Sequence, residues 1–382
     1  MSINKRHLLF SILTVILSLS LFLVAAEIFL RFMPIQSHLQ FQPVNTNNPV
    51  FHARPNNDFT FSIGRSFGNV NSGRINNVGF VNDQDYINDD SRPLIAVIGD
   101  SYIEALMVSY NETLQGRLAE HMKEKGRVYS FGFSGAPLSQ YLAWVKYANE
   151  TYQPDAIIIN IAGNDFDESL AEYRKRAGYH FYFKSNDNSL NLELIDYEPG
   201  RLSYIARRSS LAQYLIYNLN IMHTINFYWK KITNSNVNLN QAKSEKIEYV
   251  GNTLANADSL RIEKSKEMLS YFFDDLVEMS QLPPEKIIFT IDGIRNQIYN
   301  QSPRSRYKKS YFYIMREYFI KEAINRNFQV IDLHTYFEND FLINNKIFEF
   351  KNDNHWSGYG HKIVFEAITE SNWFKEVIKN DF

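Results

Sequence analysis

The sequence predicts an α/β protein: a doubly wound parallel sheet with helices on both faces, preceded by one N-terminal transmembrane helix. Two observations predict this architecture. Short apolar runs alternate with helical patterns after residue 93, and one long uncharged apolar segment stands near the N-terminus. Strands that alternate with helices form parallel sheets through right-handed crossovers. A chain of 382 residues that is 45% hydrophobic is long enough to bury such a core.

The N-terminal segment is the first element. Residues 8–26 carry no charge, no Pro and no Gly, and a helix of that length spans the roughly 30 Å hydrocarbon core of a bilayer. The basic residues Lys5 to His7 precede it, so the positive-inside rule predicts a cytoplasmic N-terminus and a periplasmic bulk. A cleaved signal peptide is the alternative, because Val-Ala-Ala precedes Glu27. The apolar run exceeds the usual length of about 7–15 residues, which favours an uncleaved anchor.

The chain divides into three parts. Residues 1–34 form the cytoplasmic tip and the anchor, and two further parts follow. Residues 35–92 are rich in Asn, Pro, Gly and Ser and predict a stalk with short β segments such as FTFSIG and VGFV. Residues 93–378 predict the α/β domain, interrupted by an insertion at about 166–258. The insertion reads as a hairpin, a helix over 207–229 and an Asn- and Lys-rich loop. Ligands bind at the carboxyl edge of open α/β sheets, so we expect the insertion to shape the pocket.

Five apolar runs in the α/β domain predict strands that are buried on both faces. They are LIAVIG (94–99), RVYSFGF (127–133), AIIINIA (156–162), KIIFTID (286–292) and FQVIDL (328–333). Between them, leucine spacing predicts a helix over 113–125, and Pro137 suits the first turn of a second helix over 137–147.

Composition excludes several classes of function. The chain has 40 basic and 42 acidic side chains, so no overall charge attracts nucleic acid. The absence of cysteine excludes disulfides, thiolate metal sites and a cysteine nucleophile. No Walker loop and no Gly-x-Ser-x-Gly elbow occurs, which argues against nucleotide binding and against an ordinary α/β-hydrolase. His355 and His361 are poorly spaced for metal ligation, so we expect no metal and no cofactor.

Polar motifs follow three of the predicted strands. Gly99-Asp100-Ser101 ends the first strand, where a serine hydroxyl faces the crevice of the sheet; helix capping is the structural alternative. Gly135 follows the second strand and Asn164 the third. A backbone N–H at Gly135 and the Asn164 amide suit the binding of a developing oxyanion, although ordinary turn chemistry favours the same residues.

A fourth motif lies near the C-terminus, where residues 352–358 have the sequence NDNHWSG and are expected to open the last helix. His355 suits the role of general base for Ser101, with a carboxylate holding its tautomer. Asp332 and His334 form a second Asp-x-His pair, which we interpret as a strand terminus. His361 reads as a packing or helix-surface residue.

These four motifs together resemble the SGNH (GDSL-type) hydrolase superfamily over about residues 93–378. The resemblance implies Ser101 as nucleophile, Gly135 and Asn164 as oxyanion donors beside the Ser101 N–H, and His355 as base. The family often places its aspartate three residues before the histidine, where this chain has Asn352. The acid here is Asp353, a spacing similar to that of anchored members related to polysaccharide O-acetylation proteins.

The anchor adds to this resemblance, because it closes on Glu27-x-x-x-Arg31, as in membrane-anchored bacterial members. The expected function is a serine-dependent esterase of the cell envelope that acts on an O-acylated glycan or lipid. Two alternatives stay open: an O-acyl(acetyl)transferase that modifies exported polysaccharide, and a catalytically silent membrane-tethered scaffold. The sequence identifies no protein partner.

Overall fold

The computed structural model describes residues 2–37, 39–200, 207–221, 225, 257–300, 307–351 and 353–381. The predicted Asn- and Lys-rich loop of the insertion and Asn352 lie outside these residues. The described chain clusters into two compact units. The anchor unit contains residues 1–39, 59–72 and 199–242, and the sheet unit contains residues 40–58, 73–198 and 243–382. The predicted stalk is thus divided between the two units.

The described strands are numbered in chain order. They are Asn57–Ile63 (β1), Gly68–Ile75 (β2), Leu94–Gly99 (β3), Arg127–Gly132 (β4), Ala156–Ile161 (β5), His180–Lys184 (β6), Leu190–Leu194 (β7), Ile287–Ile291 (β8), Gln329–Asp332 (β9), Glu349–Phe350 (β10) and Asp353–Trp356 (β11). The main described helices are Ser2–Leu30 (α1), Ser101–Glu104 (α2), Leu114–Met122 (α3), Leu138–Tyr152 (α4), Ser210–Gln213 (α5), Ser259–Ser280 (α6), Arg295–Asn300 (α7), Tyr311–Asn325 (α8), Leu333–Asn344 (α9), Gly358–Glu370 (α10) and Asn372–Asp381 (α11).

The central sheet has five parallel strands in the order β4-β3-β5-β8-β9. The bounds of each strand agree, to within one residue at either end, with those of a strand predicted from the sequence. β4 lies on one side of β3 and the later strands lie on the other, so the winding reverses between β3 and β5. That reversal opens a crevice at the carboxyl ends of the strands, where open α/β sheets bind ligands.

Alternate residues of the strands pack on opposite faces of the sheet. Ile95, Val97 and Ile158 belong to the core shared with α3, α10 and α11. Phe289 points the other way, against Phe319 of α8 and Phe273 of α6, with ring centroids 4.9 and 5.9 Å apart. Helices therefore cover both faces, and the predicted fold class is confirmed.

The insertion begins as predicted, with a hairpin in which β6 pairs antiparallel with β7. The helix predicted over 207–229 is described only in part, because residues 222–224 and 226–229 lie outside the described residues. In the described part, α5 continues as one π-helical stretch, Tyr214–Asn218, and the helix is interrupted where Asn220 takes a left-handed conformation. VGFV is also not a strand. The Asn76 side chain accepts hydrogen bonds from the N–H groups of Val78 and Phe80, which folds this segment into a turn.

Helix α1 dominates the anchor unit. Its segment Arg6–Leu30 contains an 18-residue stretch with a mean hydropathy of 2.7 and is long and apolar enough to cross a membrane, although a signal sequence has the same properties. Near its end, the Glu27 carboxylate accepts hydrogen bonds from the N–H groups of Ser210 and Leu211, at 3.1 and 2.9 Å. Arg31 donates to the same carboxylate at 3.0 Å. The end of α1 is therefore fixed to the first turn of α5 within the anchor unit.

Candidate active site

Ser101 lies where the sequence places it, at the carboxyl end of β3 and the start of α2. Gly99 is required here, because a Cβ at this position would lie 2.4 Å from a side-chain carbon of Ile103. Asp100 caps α2 by accepting the Tyr102 N–H at 3.0 Å. The capping function expected as the alternative thus belongs to Asp100, whose other carboxylate oxygen lies 3.2 Å from the Ser101 hydroxyl.

The structure brings Ser101, His355 and Asp353 together. His355 Nε2 lies 2.7 Å from Ser101 Oγ, across 254 residues of chain. His355 Nδ1 contacts Asp353 Oδ1, which also accepts the His355 N–H at 3.1 Å. A proton on Nδ1 satisfies the carboxylate and leaves Nε2 as the acceptor for the serine proton. The three side chains therefore form a continuous Ser–His–Asp hydrogen-bond chain.

His355 differs from the prediction in its local structure. It lies on the short strand β11, which pairs antiparallel with β10, rather than at the start of a helix. The next helix, α10, begins at Gly358, and α11 follows it. The pairing with β10 holds the motif extended, and fully buried Trp356 fixes it to the core.

The charges around His355 favour its protonated form. Burial opposes protonation, but the hydrogen bond and charge of Asp353, with the charges of Asp100 and Glu104, raise the pKa of His355 above its usual value. Burial disfavours the Asp353 anion as well, yet its hydrogen bonds to His355 lower the pKa of Asp353. The pair is thus suited to hold an imidazolium beside a carboxylate.

Gly135 lies in the turn after β4, as predicted, and its φ of +72° suits glycine. Its N–H makes no hydrogen bond with any residue that the structure describes. The preceding residue is fixed by Glu104, whose carboxylate accepts the Ser134 N–H at 2.9 Å and contacts the Ser134 hydroxyl. Since Glu104 is the last residue of α2, this carboxylate joins the Gly135 turn to the short helix that begins with Ser101.

Asn164 lies in the turn after β5. Asp165 shapes this turn, because its Oδ2 accepts the Ala162 N–H at 2.7 Å and the Tyr141 hydroxyl at 3.1 Å. The Asn164 amide donates weakly to Glu168, at 3.4 Å, and its buried Oδ1 has no partner in the described part of the chain. The role of Asn164 as an oxyanion donor stays a prediction.

A buried ion pair that the sequence does not predict contacts β10 and β11, the two strands of the hairpin that carries His355. The Arg295 guanidinium makes two 2.7 Å bonds to Asp292, and the indole of Trp356 donates to the same carboxylate at 3.1 Å. Arg295 also reaches Glu349 of β10, at 2.9 Å. Asp292 follows the end of β8, a strand-end position like that of Asp100, and this is the signal that was available in the sequence.

Two other histidines, His334 and His361, have structural roles. His334 is buried and its Nδ1 accepts the Ile294 N–H, while Asp332 caps α9, which confirms the interpretation of this pair as a strand terminus. His361 is buried and accepts the Leu114 N–H at 3.1 Å. Burial lowers the pKa of His361 to about 3, so it stays neutral and acts in packing.

This geometry is the serine–histidine–aspartate arrangement of serine hydrolases, on a parallel α/β sheet. Among solved structures, the fold is similar to TesA, at 10% identity and a TM-score of 0.38 over 74% of this chain and 99% of that one. It is similar to a lipolytic G-D-S-L family protein from Veillonella parvula, at 12% identity and a TM-score of 0.36 over 73% and 97% of the two chains.

A lipase/acylhydrolase from Enterococcus faecalis is also similar, at 13% identity and a TM-score of 0.33 over 75% and 96%. The G-D-S-L family is the one that the four sequence motifs resemble. No protein-family model matches the chain, and no curated protein matches its sequence. The assignment of chemistry therefore depends on the geometry around Ser101.

Proposed function

We propose that this chain is a serine-dependent ester hydrolase of the cell envelope, acting on an O-acylated glycan or lipid. The observation that carries the proposal is the 2.7 Å contact between His355 Nε2 and Ser101 Oγ, continued by Asp353. A catalytically silent scaffold does not require the Ser101, His355 and Asp353 side chains to be aligned. The anchor, residues 1–34, and the α/β domain, residues 93–378, are the two functional parts in this proposal.

The reaction follows from the positions of the three side chains. Ser101 Oγ attacks the ester carbonyl while His355 Nε2 takes its proton, and Asp353 stabilises the imidazolium that forms. The N–H groups of Ser101 and Gly135, with the Asn164 amide, bind the oxyanion. The C–O bond to the leaving alcohol then breaks, and His355 returns the proton to that alcohol. Water, activated in the same way, releases the acid and regenerates Ser101.

A fluorophosphonate probe tests the nucleophile directly. The wild-type protein is expected to become covalently labelled at Ser101, because the activated hydroxyl attacks phosphorus as it attacks an ester carbon. Ser101→Ala is expected to abolish labelling, and Ser91→Ala, at an exposed serine of the sheet unit, is expected to leave it unchanged. The readout is the labelled peptide in mass spectrometry. A folded wild-type protein that does not label would favour the silent scaffold.

The acyl acceptor decides between hydrolase and O-acyltransferase. With an O-acetylated glycan as donor, release of free acetate supports hydrolysis. Transfer of the acetyl group to a second glycan would favour the transferase. Both outcomes use the same acyl-Ser101 intermediate, so product analysis separates them once labelling has identified the nucleophile.

The N-terminal helix is expected to remain as a membrane anchor, with the α/β domain on the periplasmic side. The fixed contact between Glu27 and the start of α5 supports an anchor that stays with the folded protein. Protease added to spheroplasts should digest the α/β domain, and membrane pellets should contain the full-length chain. Protection of that domain would contradict the orientation, and a soluble form that begins near Glu27 would indicate a cleaved signal peptide.

A further inference from the structure

The hairpin insertion delivers two hydrogen-bond donors to one backbone carbonyl beside the candidate nucleophile. Arg176 Nη1 donates to the Ser134 carbonyl oxygen at 2.6 Å, and the Tyr179 hydroxyl donates to the same oxygen at 3.2 Å. Both residues belong to one turn, in which the Tyr179 N–H bonds the Arg176 carbonyl and Gly178 takes a φ of +91°. One local turn therefore positions both donors ahead of β6.

The Arg176 side chain is held in place by more than this contact. Its guanidinium lies over the ring of Tyr179, 4.4 Å from the centroid, and Tyr179 itself is fully buried. No carboxylate of the described residues forms an ion pair with Arg176. A permanently charged guanidinium is thus directed at a peptide carbonyl rather than at an acid.

The Ser134 carbonyl belongs to the same peptide unit as the Gly135 N–H. The described chain contains no cis peptide bonds, so this C=O and this N–H point in opposite directions. Donors that hold the carbonyl therefore fix the direction of the N–H. A charged donor on the oxygen also polarises the peptide and strengthens its N–H as a donor.

Ser134 is held on its other side as well. Glu104 accepts the Ser134 N–H at 2.9 Å, so the backbone N–H and C=O of this residue are both bound. The next N–H, that of Gly135, is the one without a partner among the described residues. Such an arrangement leaves a fixed donor available for a ligand.

We propose that Arg176 and Tyr179 are positioning residues that orient and polarise the Ser134–Gly135 peptide, so that the Gly135 N–H binds the oxyanion. This inference rests on the proposed ester hydrolysis. Neither side chain touches the reacting atoms; both act through the peptide. Because the oxyanion develops only in the transition state, loss of this positioning is expected to lower kcat and to leave KM nearly unchanged.

The test compares Arg176→Gln with Lys175→Gln in the full-length protein, using p-nitrophenyl acetate. Lys175 is the matched control, since it is the adjacent cation, is exposed, and among the described residues contacts only the ring of Phe183. Arg176→Gln is expected to lower kcat about 10- to 30-fold with KM changed less than about twofold. Tyr179→Phe should cost about threefold, and Arg176→Lys should recover part of the loss.

Two further measurements separate positioning from a general structural effect. The rate of fluorophosphonate labelling should fall by the same factor as kcat, because the phosphoryl oxygen occupies the oxyanion site. Thermal unfolding should show Arg176→Gln folded at the assay temperature. Lys175→Gln is expected to match the wild type in every assay.

The outcomes are distinct. Equal kcat values for Arg176→Gln and Lys175→Gln, in an active wild-type background, would overturn the positioning role and leave the proposed hydrolase intact. A rise in KM for anionic esters alone, with kcat unchanged, would overturn it too, since Arg176 would then bind substrate directly. A wild-type protein that neither hydrolyses esters nor labels would overturn both proposals together.

Discussion

Ser101→Ala is expected to lower kcat for p-nitrophenyl acetate by at least about 1,000-fold. The substitution removes the oxygen that attacks the ester and leaves the cap at Asp100, the Gly99 turn and the core of β3 in place. What activity survives comes from oxyanion binding that assists direct attack by water. Steady-state kinetics on the purified protein, with circular dichroism as a check of folding, provide the measurement.

His355→Ala should cost about as much as Ser101→Ala, and the double variant little more, because the two side chains act as one unit. Ser91→Ala is again the control. A folded Ser101→Ala protein with near-wild-type esterase activity would mean that Gly99-Asp100-Ser101 is only a helix start. The silent scaffold would then be the better interpretation of the fold.

Asp353→Asn is expected to lower kcat by about 10³- to 10⁴-fold. The neutral amide does not stabilise the imidazolium, and it favours the wrong tautomer of His355. Asn354→Ala is the matched control, because the Asn354 side chain is exposed and forms no hydrogen bond with His355. Asn352→Ala should likewise be active. A large loss in Asn352→Ala and none in Asp353→Asn would show that the acid has been misassigned.

The pH profile gives a second readout of the same substitution. The base must be neutral to accept the serine proton, so kcat/KM rises with pH through the pKa of His355. Burial lowers that pKa, but the hydrogen bond and charge of Asp353 outweigh burial and raise it, so the acidic limb of the wild type should lie at higher pH than the titration of an ordinary histidine. Residual activity of Asp353→Asn should have its limb shifted to lower pH, since the charge that held the proton is gone. An unshifted limb would contradict the pairing.

Much of the fold was predictable because its signals are local. The five strands are continuous apolar runs, and a strand buried on both faces needs no partner information to be recognised. Ser101, Gly135 and Asn164 follow such strands directly, so their shared edge followed from the fold class. The Asp353–His355 contact was also local, since two residues of separation suffice for it.

The remainder depended on distant contacts that no spacing in the sequence reports. Arg176 and Tyr179 reach Ser134 across more than 40 residues of chain. Arg295 and Trp356 both donate to the Asp292 carboxylate only because β8 ends beside β11, the strand that carries His355. The sequence predicts a helix start at His355, whereas the structure has the short strand β11 there. The strand is not recognisable from the sequence, because its partner β10 has only two residues and shows no periodic pattern.

The distance along the chain between Ser101 and His355 has a consequence for how the protein is made. Ribosomes synthesise the serine strand long before the histidine hairpin, and loop closure between them waits for the residues that follow Phe350. Under the proposed function, a nascent chain therefore carries the nucleophile without its base and is chemically inert until the hairpin that carries His355 is made. Ester cleavage then begins only when this hairpin has docked, so its onset would report the folding of the α/β domain.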